Sequence, residues 1–373
     1  MSRIDAFLQL GREQGCSDIH LTVGLPPLVR MDGELVPLKY RELDESETQG
    51  LVDELLSPEL KDELAVRGAV DFSYDSEGVG RFRVNVYKQF RGIAAACRVI
   101  PEDVPALADL GLPQVVARLT SLKAGMILVT GGAGTGKSTT LAAMIRSINE
   151  TRNLNIITLE DPVEFVHENK KSQVLQREVG THVESFSAGL RAALREDPDV
   201  ILVGELRDAE SIALAVEASE TGHLVLATLH TRGAYPTIHR LVDAFSAESH
   251  AQIRHTLAEN LKCVISQELV RAADGRGRRA VLEILVVSSA VAQLIREGKT
   301  HQIPSAISTG RRLGMQLMDQ ALLQLVRAGD IDPDEAFLKA TEKREFVPFV
   351  TRPELRAVVD AQPTTRSPAE VSP

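Results

Sequence analysis

The run Gly131-Gly132-Ala133-Gly134-Thr135-Gly136-Lys137-Ser138 fills every fixed position of the pattern G-x-x-x-x-G-K-[ST], with Thr139 directly after it. In such a loop the glycines let backbone N–H groups turn inward around phosphate oxygens. The lysine reaches the β/γ oxygens, and the Ser/Thr hydroxyl meets Mg²⁺. Gly131 through Thr139 are therefore the phosphate-binding candidates, Ser138 the candidate Mg²⁺ ligand, and ATP with Mg²⁺ the implied substrate and ion. The flanks agree with this chemistry. Met126-Ile127-Leu128-Val129-Thr130 is a short apolar run that reads as a buried strand, and it enters the loop directly. The stretch from Ser138 to Arg146 has helix-forming composition and sets Leu141, Met144 and Ile145 on one face. A helix that begins at the loop aims its free N–H groups and its positive dipole end at the phosphates.

Ligands of open α/β sheets bind outside the carboxyl ends of the strands, so strand-end position sorts the remaining polar candidates. Asp199-Val200-Ile201-Leu202-Val203-Gly204-Glu205 carries a carboxylate at each end. Those ends lie roughly 20 Å apart at ~3.3 Å per residue, so only one of the two reaches the nucleotide. Glu205, at the carboxyl end, is the candidate for polarising water and supporting Mg²⁺. Asp199 is left to position the amino end. The run Asn155 to Leu159 ends in Glu160-Asp161-Pro162. That acidic pair reads either as a water- or metal-positioning group or as a solvated turn. His223 and His230 flank the apolar run 224–229. A strand would separate them by about 23 Å, too far to share a zinc ion. His230 is then the candidate γ-phosphate contact, and His223 a residue of the strand's amino end.

The elements that must hold these groups are those of an α/β protein. The chain has 373 residues, 43% of them hydrophobic, enough for two domains. Residues 1–100 alternate short strand-like runs with acidic helical stretches, and Arg81 to Tyr87 has the two-residue period of a half-buried strand. Residues 101–113, with three prolines, read as a linker. Residues 114–355 alternate apolar runs with helical patterns, the form of βαβ units. Residues 356–373 have the composition of a disordered tail. A net charge of −10 argues against a nucleic-acid partner. Cys16, Cys97 and Cys263 fall in no C-x-x-C spacing, so neither a zinc knuckle nor a disulfide framework is expected. No apolar stretch is long enough to span a membrane, and the first residues lack the form of a signal peptide.

In combination with blocks elsewhere, the glycine loop makes the chain resemble the type IV pilus retraction ATPases of the secretion-ATPase superfamily. The blocks are Ser17–Leu21, Gly24–Pro27, Gly80–Asn85, Leu159–His167, Glu196–Asp208, Thr221–Thr231 and Leu294–Ile303, and the resemblance runs from Ser17 to about Phe349. It implies a PAS-like first domain and a RecA-like ATPase core, assembled into a homohexamer. The ring hydrolyses ATP to disassemble pili, at the cytoplasmic side of the inner membrane and against a membrane platform protein. It also implies catalytic roles for Glu205, Glu160, Glu164 and His230, and nucleotide contacts for Arg81, Arg83 and Arg98. Spacing alone reads those arginines as solvated charges on an alternating strand. The four-cysteine element and extra N-terminal sequence of the assembly branch are lacking. Two positions depart from the family pattern. Ala292 replaces the first arginine of the signature A-I-R-N-L-I-R-E, and His239 stands where an acidic residue is general. Alternatives are an accessory pilus ATPase and a nucleotide-responsive ring subunit without motor activity.

Overall fold

The computed structural model describes residues 2–31, 34–101 and 103–360, with side chains to residue 356. Two sheets are present. Six strands form an antiparallel sheet: β1 (Asp18–Thr22), β2 (Leu28–Met31), β3 (Glu34–Pro37), β4 (Ala69–Ser76), β5 (Gly80–Gln89) and β6 (Gly92–Val99), in the order β3-β2-β1-β6-β5-β4. The period-2 pattern seen in the sequence around Arg81 becomes β5, where Phe82, Val84 and Val86 are fully buried while Arg81, Arg83 and Asn85 point to the other face. Ile19, Leu21 and Cys97 of the neighbouring strands join the same core.

The second sheet holds β7 (Gly125–Thr130), β8 (Asn155–Glu160), β9 (Gln173–Glu178), β10 (Val200–Val203), β11 (Leu224–Leu229), β12 (Leu261–Arg271) and β13 (Arg278–Val286), in the order β13-β12-β7-β11-β10-β8-β9. Strands β10, β11, β7 and β12 run parallel, and β13 is antiparallel to β12. Every residue of β7, β10 and β11 is buried. That burial explains why their sequences are continuous apolar runs rather than alternating ones.

The described chain falls into two compact units. The first gathers residues up to Val104 together with Leu159–Asn169 and Val174–Ser185, and the second holds the rest. The two later segments lie inside the stretch 114–355 that sequence patterning runs as one domain. Their attachment is explained by Glu178, which is 6% exposed. Its carboxylate accepts hydrogen bonds from Ser73 Oγ, Arg81 Nη2 and the Val163 N–H, each at 3.0 Å. The described residues of 101–113 form no helix or strand. Residues 353–360 are helical, so the irregular tail expected from 356 begins no earlier than 361, and 361–373 lie outside the described residues. Leu355 packs against the core around Leu322, Phe337 and Phe346, which ties that helix down.

Glu178→Ala is expected to cost about 3 kcal/mol or more, because Arg81 loses its buried counter-charge and the Val163 N–H its acceptor. Arg83→Ala, which removes a half-exposed pair with Asp71, should cost under about 1 kcal/mol. Parallel thermal melts of the two variants check this ordering.

Candidate active site

The site sits at the carboxyl ends of the parallel strands. Residues Leu229 and Thr130 are register partners at the ends of β11 and β7, and Ser266 of β12 pairs with Thr130. The glycine loop leaves β7 here. Its first residue, Gly131, donates its N–H to the Leu229 carbonyl at 3.3 Å. Gly131, Gly134 and Gly136 adopt φ of 143°, 73° and 83°, values that favour glycine. The helix Lys137–Thr151 then begins with no side-chain cap, leaving its first N–H groups directed at whatever occupies the loop.

The loop is braced by a residue that sequence patterning passes over. Gln267 on β12 is 2% exposed. Its Nε2 donates to the Thr135 carbonyl at 2.7 Å, and its Oε1 accepts from Thr140 Oγ1 at 2.8 Å. The contact is so close that a Cβ at Gly131 would lie 2.4 Å from the Gln267 carbonyl oxygen, and one at Gly136 would lie 2.9 Å from its Nε2. The only signal in the sequence is the polar triplet Ser266-Gln267-Glu268 between the apolar pairs Val264-Ile265 and Leu269-Val270. Lys137 is 8% exposed and folds its ammonium onto the Gly131 and Gly132 carbonyls at 2.9 and 2.7 Å. Ser138 is exposed in the first turn of the helix. A glycine cradle, uncapped helix N–H groups and a lysine held at the loop fit a triphosphate. An exposed hydroxyl beside it fits Mg²⁺, which takes few protein ligands when phosphate oxygens supply the others. Among the described residues no cluster of His, Cys, Asp or Glu is arranged to hold a metal by itself.

Glu205 follows β10 and His230 follows β11, and the fold brings them together. His230 Nε2 stands 3.2 Å from Glu205 Oε1, while Arg207 Nε donates to Glu205 Oε2 at 2.8 Å. Arg207 is steadied in turn by lying over the Phe186 ring, 5.7 Å from its centroid. The turns carrying these residues are fixed by backbone. Leu206 N–H donates to the Thr228 carbonyl at 3.0 Å, and the Thr228 hydroxyl donates to the Gly204 carbonyl. Beyond His230, Gly233 N–H and Ala234 N–H donate to Ser266 Oγ and Glu283 Oε1, each at 2.8 Å. Arg232, also passed over in the sequence, approaches the loop near Gly132 and pairs with Glu268 at 3.7 Å. At the opposite strand ends, Asp199 Oδ2 accepts the Asn155 N–H at 2.9 Å and His223 Nδ1 lies 2.9 Å from the Ala218 carbonyl. Both serve the strand starts.

This arrangement has counterparts in known proteins. Residues 81–338 match the profile of the type II/IV secretion system proteins. The chain belongs to that family. Among its relatives, the type IV pilus retraction ATPase PilT of Pseudomonas aeruginosa is 46% identical over 343 residues, 92% of this chain and 99% of PilT. The type IV pilus ATPase PilU of the same organism is 38% identical over 342 residues, 92% of this chain and 90% of PilU. A crystal structure of the pilus retraction motor PilT with bound ADP superposes with a TM-score of 0.85 at 45% identity, covering 92% of this chain and 99% of that one. The superposition supports the two-sheet fold as a whole, an antiparallel first sheet and a mixed second sheet.

The other site candidates of this family member lie in the first unit. Glu160 accepts from Gln176 Nε2 at 3.1 Å. Asp161 and Glu164 add to the negative field around Arg83, whose guanidinium is held charged first by its hydrogen bonds to Asp71, the Nη2 contact being 2.8 Å. Arg81 is taken by Glu178, as described, and Arg98 Nε donates to Asp18 Oδ1 at 2.9 Å. Of the two departures, His239 pairs with Asp243 one helical turn on at 2.5 Å, and Ala292 is 6% exposed in the helix Ser289–Arg296.

Gln267→Ala leaves the Thr135 carbonyl and the Thr140 hydroxyl without partners, at about 1–3 kcal/mol for each buried group. Weakened ATP binding in a fluorescent-nucleotide titration is the expected result. Burial of the His167 imidazole lowers its pKa to about 4 from 6.5. The neutral ring therefore favours folding fully above about pH 6.5, and that contribution is lost as pH falls toward 4, because the unfolded state binds the proton more readily. His167→Gln should flatten the stability profile across that window, measured by urea unfolding at a series of pH values.

Proposed function

We propose that this chain is an ATP-hydrolysing motor that powers type IV pilus retraction, working as a homohexamer on the cytoplasmic side of the inner membrane against a pilus platform protein. The observation that carries the reading is the placement of Glu205, held between His230 and Arg207, on the same strand edge as the glycine loop. ADP in the PilT structure, the product of ATP hydrolysis, supports the same chemistry. Among the described residues no helix is long and apolar enough to cross a membrane, in keeping with attachment through a partner. In this reading residues 1–100 form a PAS-like domain, 101–113 the linker and 114–355 the RecA-like ATPase domain.

The loop N–H groups and the start of the helix Lys137–Thr151 bind the phosphates. Lys137 exchanges its loop carbonyls for phosphate oxygens, a short movement for an ammonium already at the loop. Ser138 would hold Mg²⁺ together with phosphate oxygens, and the ion would supply positive charge where the β/γ oxygens become more negative. Glu205 accepts a hydrogen bond from the attacking water and orients it in line. Arg207 and His230 keep that carboxylate in place, and His230 also senses the γ-phosphate. Glu160 and Glu164 are proposed to complete the catalytic carboxylates. Arg81, Arg83 and Arg98 are proposed as the nucleotide-responsive arginines, whose exchange between carboxylate and phosphate partners would give two states of different contacts.

An accessory pilus ATPase is the second reading, favoured by Ala292. Complementation of a retraction-deficient strain, scored by twitching motility, separates the two. Rescue by the wild type is expected, whereas failure to rescue despite ATP turnover would favour the accessory role.

Lys137→Ala is expected to abolish ATP turnover and twitching. Glu205→Gln should keep ATP binding while slowing hydrolysis by about 10²-fold or more. Turnover at the wild-type rate in the Glu205→Gln protein would remove Glu205 from its role, and the absence of turnover in the wild type would leave a nucleotide-responsive ring subunit instead.

A further inference from the structure

On the second unit, the helices Gln114–Leu119 and Met318–Ala328 and the 3-10 turn Arg311–Leu313 border a groove of about 960 Å³. Val115 and Met315 contribute apolar surface. Arg118, Arg311, Arg312 and Arg327 line it, with Glu345 as the one carboxylate in the lining. Among the described residues no ion pair engages Arg311, Arg312 or Arg327.

The turn that presents two of these arginines is packed into place. Gly314 has φ of 89°, and a Cβ there would lie 2.8 Å from Val115 Cβ; one at Gly310 would lie 2.4 Å from Met315 Sδ. Arg118 Nη2 donates to the Leu313 carbonyl at 3.2 Å, and Gln316 is bridged to Ile284 by backbone hydrogen bonds of 2.8 and 3.1 Å. The turn therefore closes by direct backbone approach, and its arginines project from a fixed base.

We propose that this groove docks an acidic segment of a transiently bound partner protein. Guanidinium forks match carboxylates in bidentate geometry, and arginine is favoured where partners anchor. A chain of net charge −10 repels an acidic partner over most of its surface, so a concentrated positive groove steers that partner to one place. A compact phosphate ligand is the weaker match. Its sites are built from backbone N–H groups at a helix start; of the two α-helices that open here, Gln114–Leu119 has only six residues, and Met318–Ala328 carries Asp319 in its first turn and gives its Met318 N–H to Glu283. A permanent contact between copies is also a weaker match, since such interfaces carry an apolar core, and four arginines line this groove.

The test uses the full-length protein and two fluorescein-labelled peptides, one of alternating Glu and Ser and one of alternating Gln and Ser, followed by anisotropy at low and physiological salt. Binding of the Glu peptide alone, weakening with salt, is expected. Arg311→Glu combined with Arg312→Glu should lower its affinity at least about tenfold, the size expected for losing one or two charge-assisted contacts. Arg278→Glu combined with Arg279→Glu, the same charge change on exposed or half-exposed β13 residues, should leave the affinity within about twofold. ATP turnover should be unaffected by the groove change, so loss of docking and loss of catalysis are read separately. Equal loss in both double variants, or no binding by the wild type, overturns the proposal. It is also overturned if the groove change alters the size of the assembly in light scattering while peptide binding persists, or if anionic vesicles bind through these arginines and the peptide does not.

Discussion

The close approach of the glycine loop to Gln267 is the constraint on which the rest of the site depends. A loop that cradles phosphates must turn its N–H groups inward, and those groups hold that direction only if the loop is prevented from relaxing. Here the backbone of β12 passes within van der Waals distance of Gly131, and the Gln267 amide ties Thr135 to the first turn of the following helix. A side chain at Gly131 would drive strand and loop apart, and one at Gly136 would push the Gln267 amide from its place. The glycines therefore serve two ends, permitting positive φ and permitting contact.

Around that fixed loop the parallel strands act as a ruler. Since β7, β10, β11 and β12 run the same way, the residues that follow them emerge at one edge, and Glu205 meets His230 without either being near the other in sequence. The hydrogen bonds between the turn after β10 and Thr228, near the end of β11, hold the two side chains in register. The uniform burial of the strands is what allows the ruler to be rigid, because packed apolar strands resist shear. Groups at the opposite strand ends, Asp199 and His223, are engaged in starting strands instead.

The first unit is organised differently, around charges rather than strand ends. Glu178 takes three donors from separate segments and is nearly excluded from water, so it fixes Arg81 and draws later segments of the chain into the unit. Arg83 and Arg98 are engaged by Asp71 and Asp18 in the same sheet. An arginine paired in this way is held in one orientation by its planar fork of donors.

Much of this was legible in the amino-acid order. A glycine loop, apolar runs of strand length and carboxylates at their ends are local patterns, and local patterns determine where strands stop and which residues follow them. That sufficed to place the glycine loop, Glu205 and His230 at the carboxyl ends of the strands, and Asp199 and His223 at the opposite ends. Gln267, Glu178, Arg207 and Arg232 were not legible as partners, because a polar residue between Ser266 and Glu268, or a charged residue at or beyond a strand's end, has no periodicity to mark what it meets. Likewise nothing in the order of residues 159–169 and 174–185 announces that they pack with the first unit, and nothing in 353–360 announces the core that Leu355 completes. The sequence by itself determined the chemistry available and the strand edge at which it emerges. Only the tertiary structure decided which charges meet, because those meetings join residues up to 97 positions apart and depend on how strands and turns close against one another.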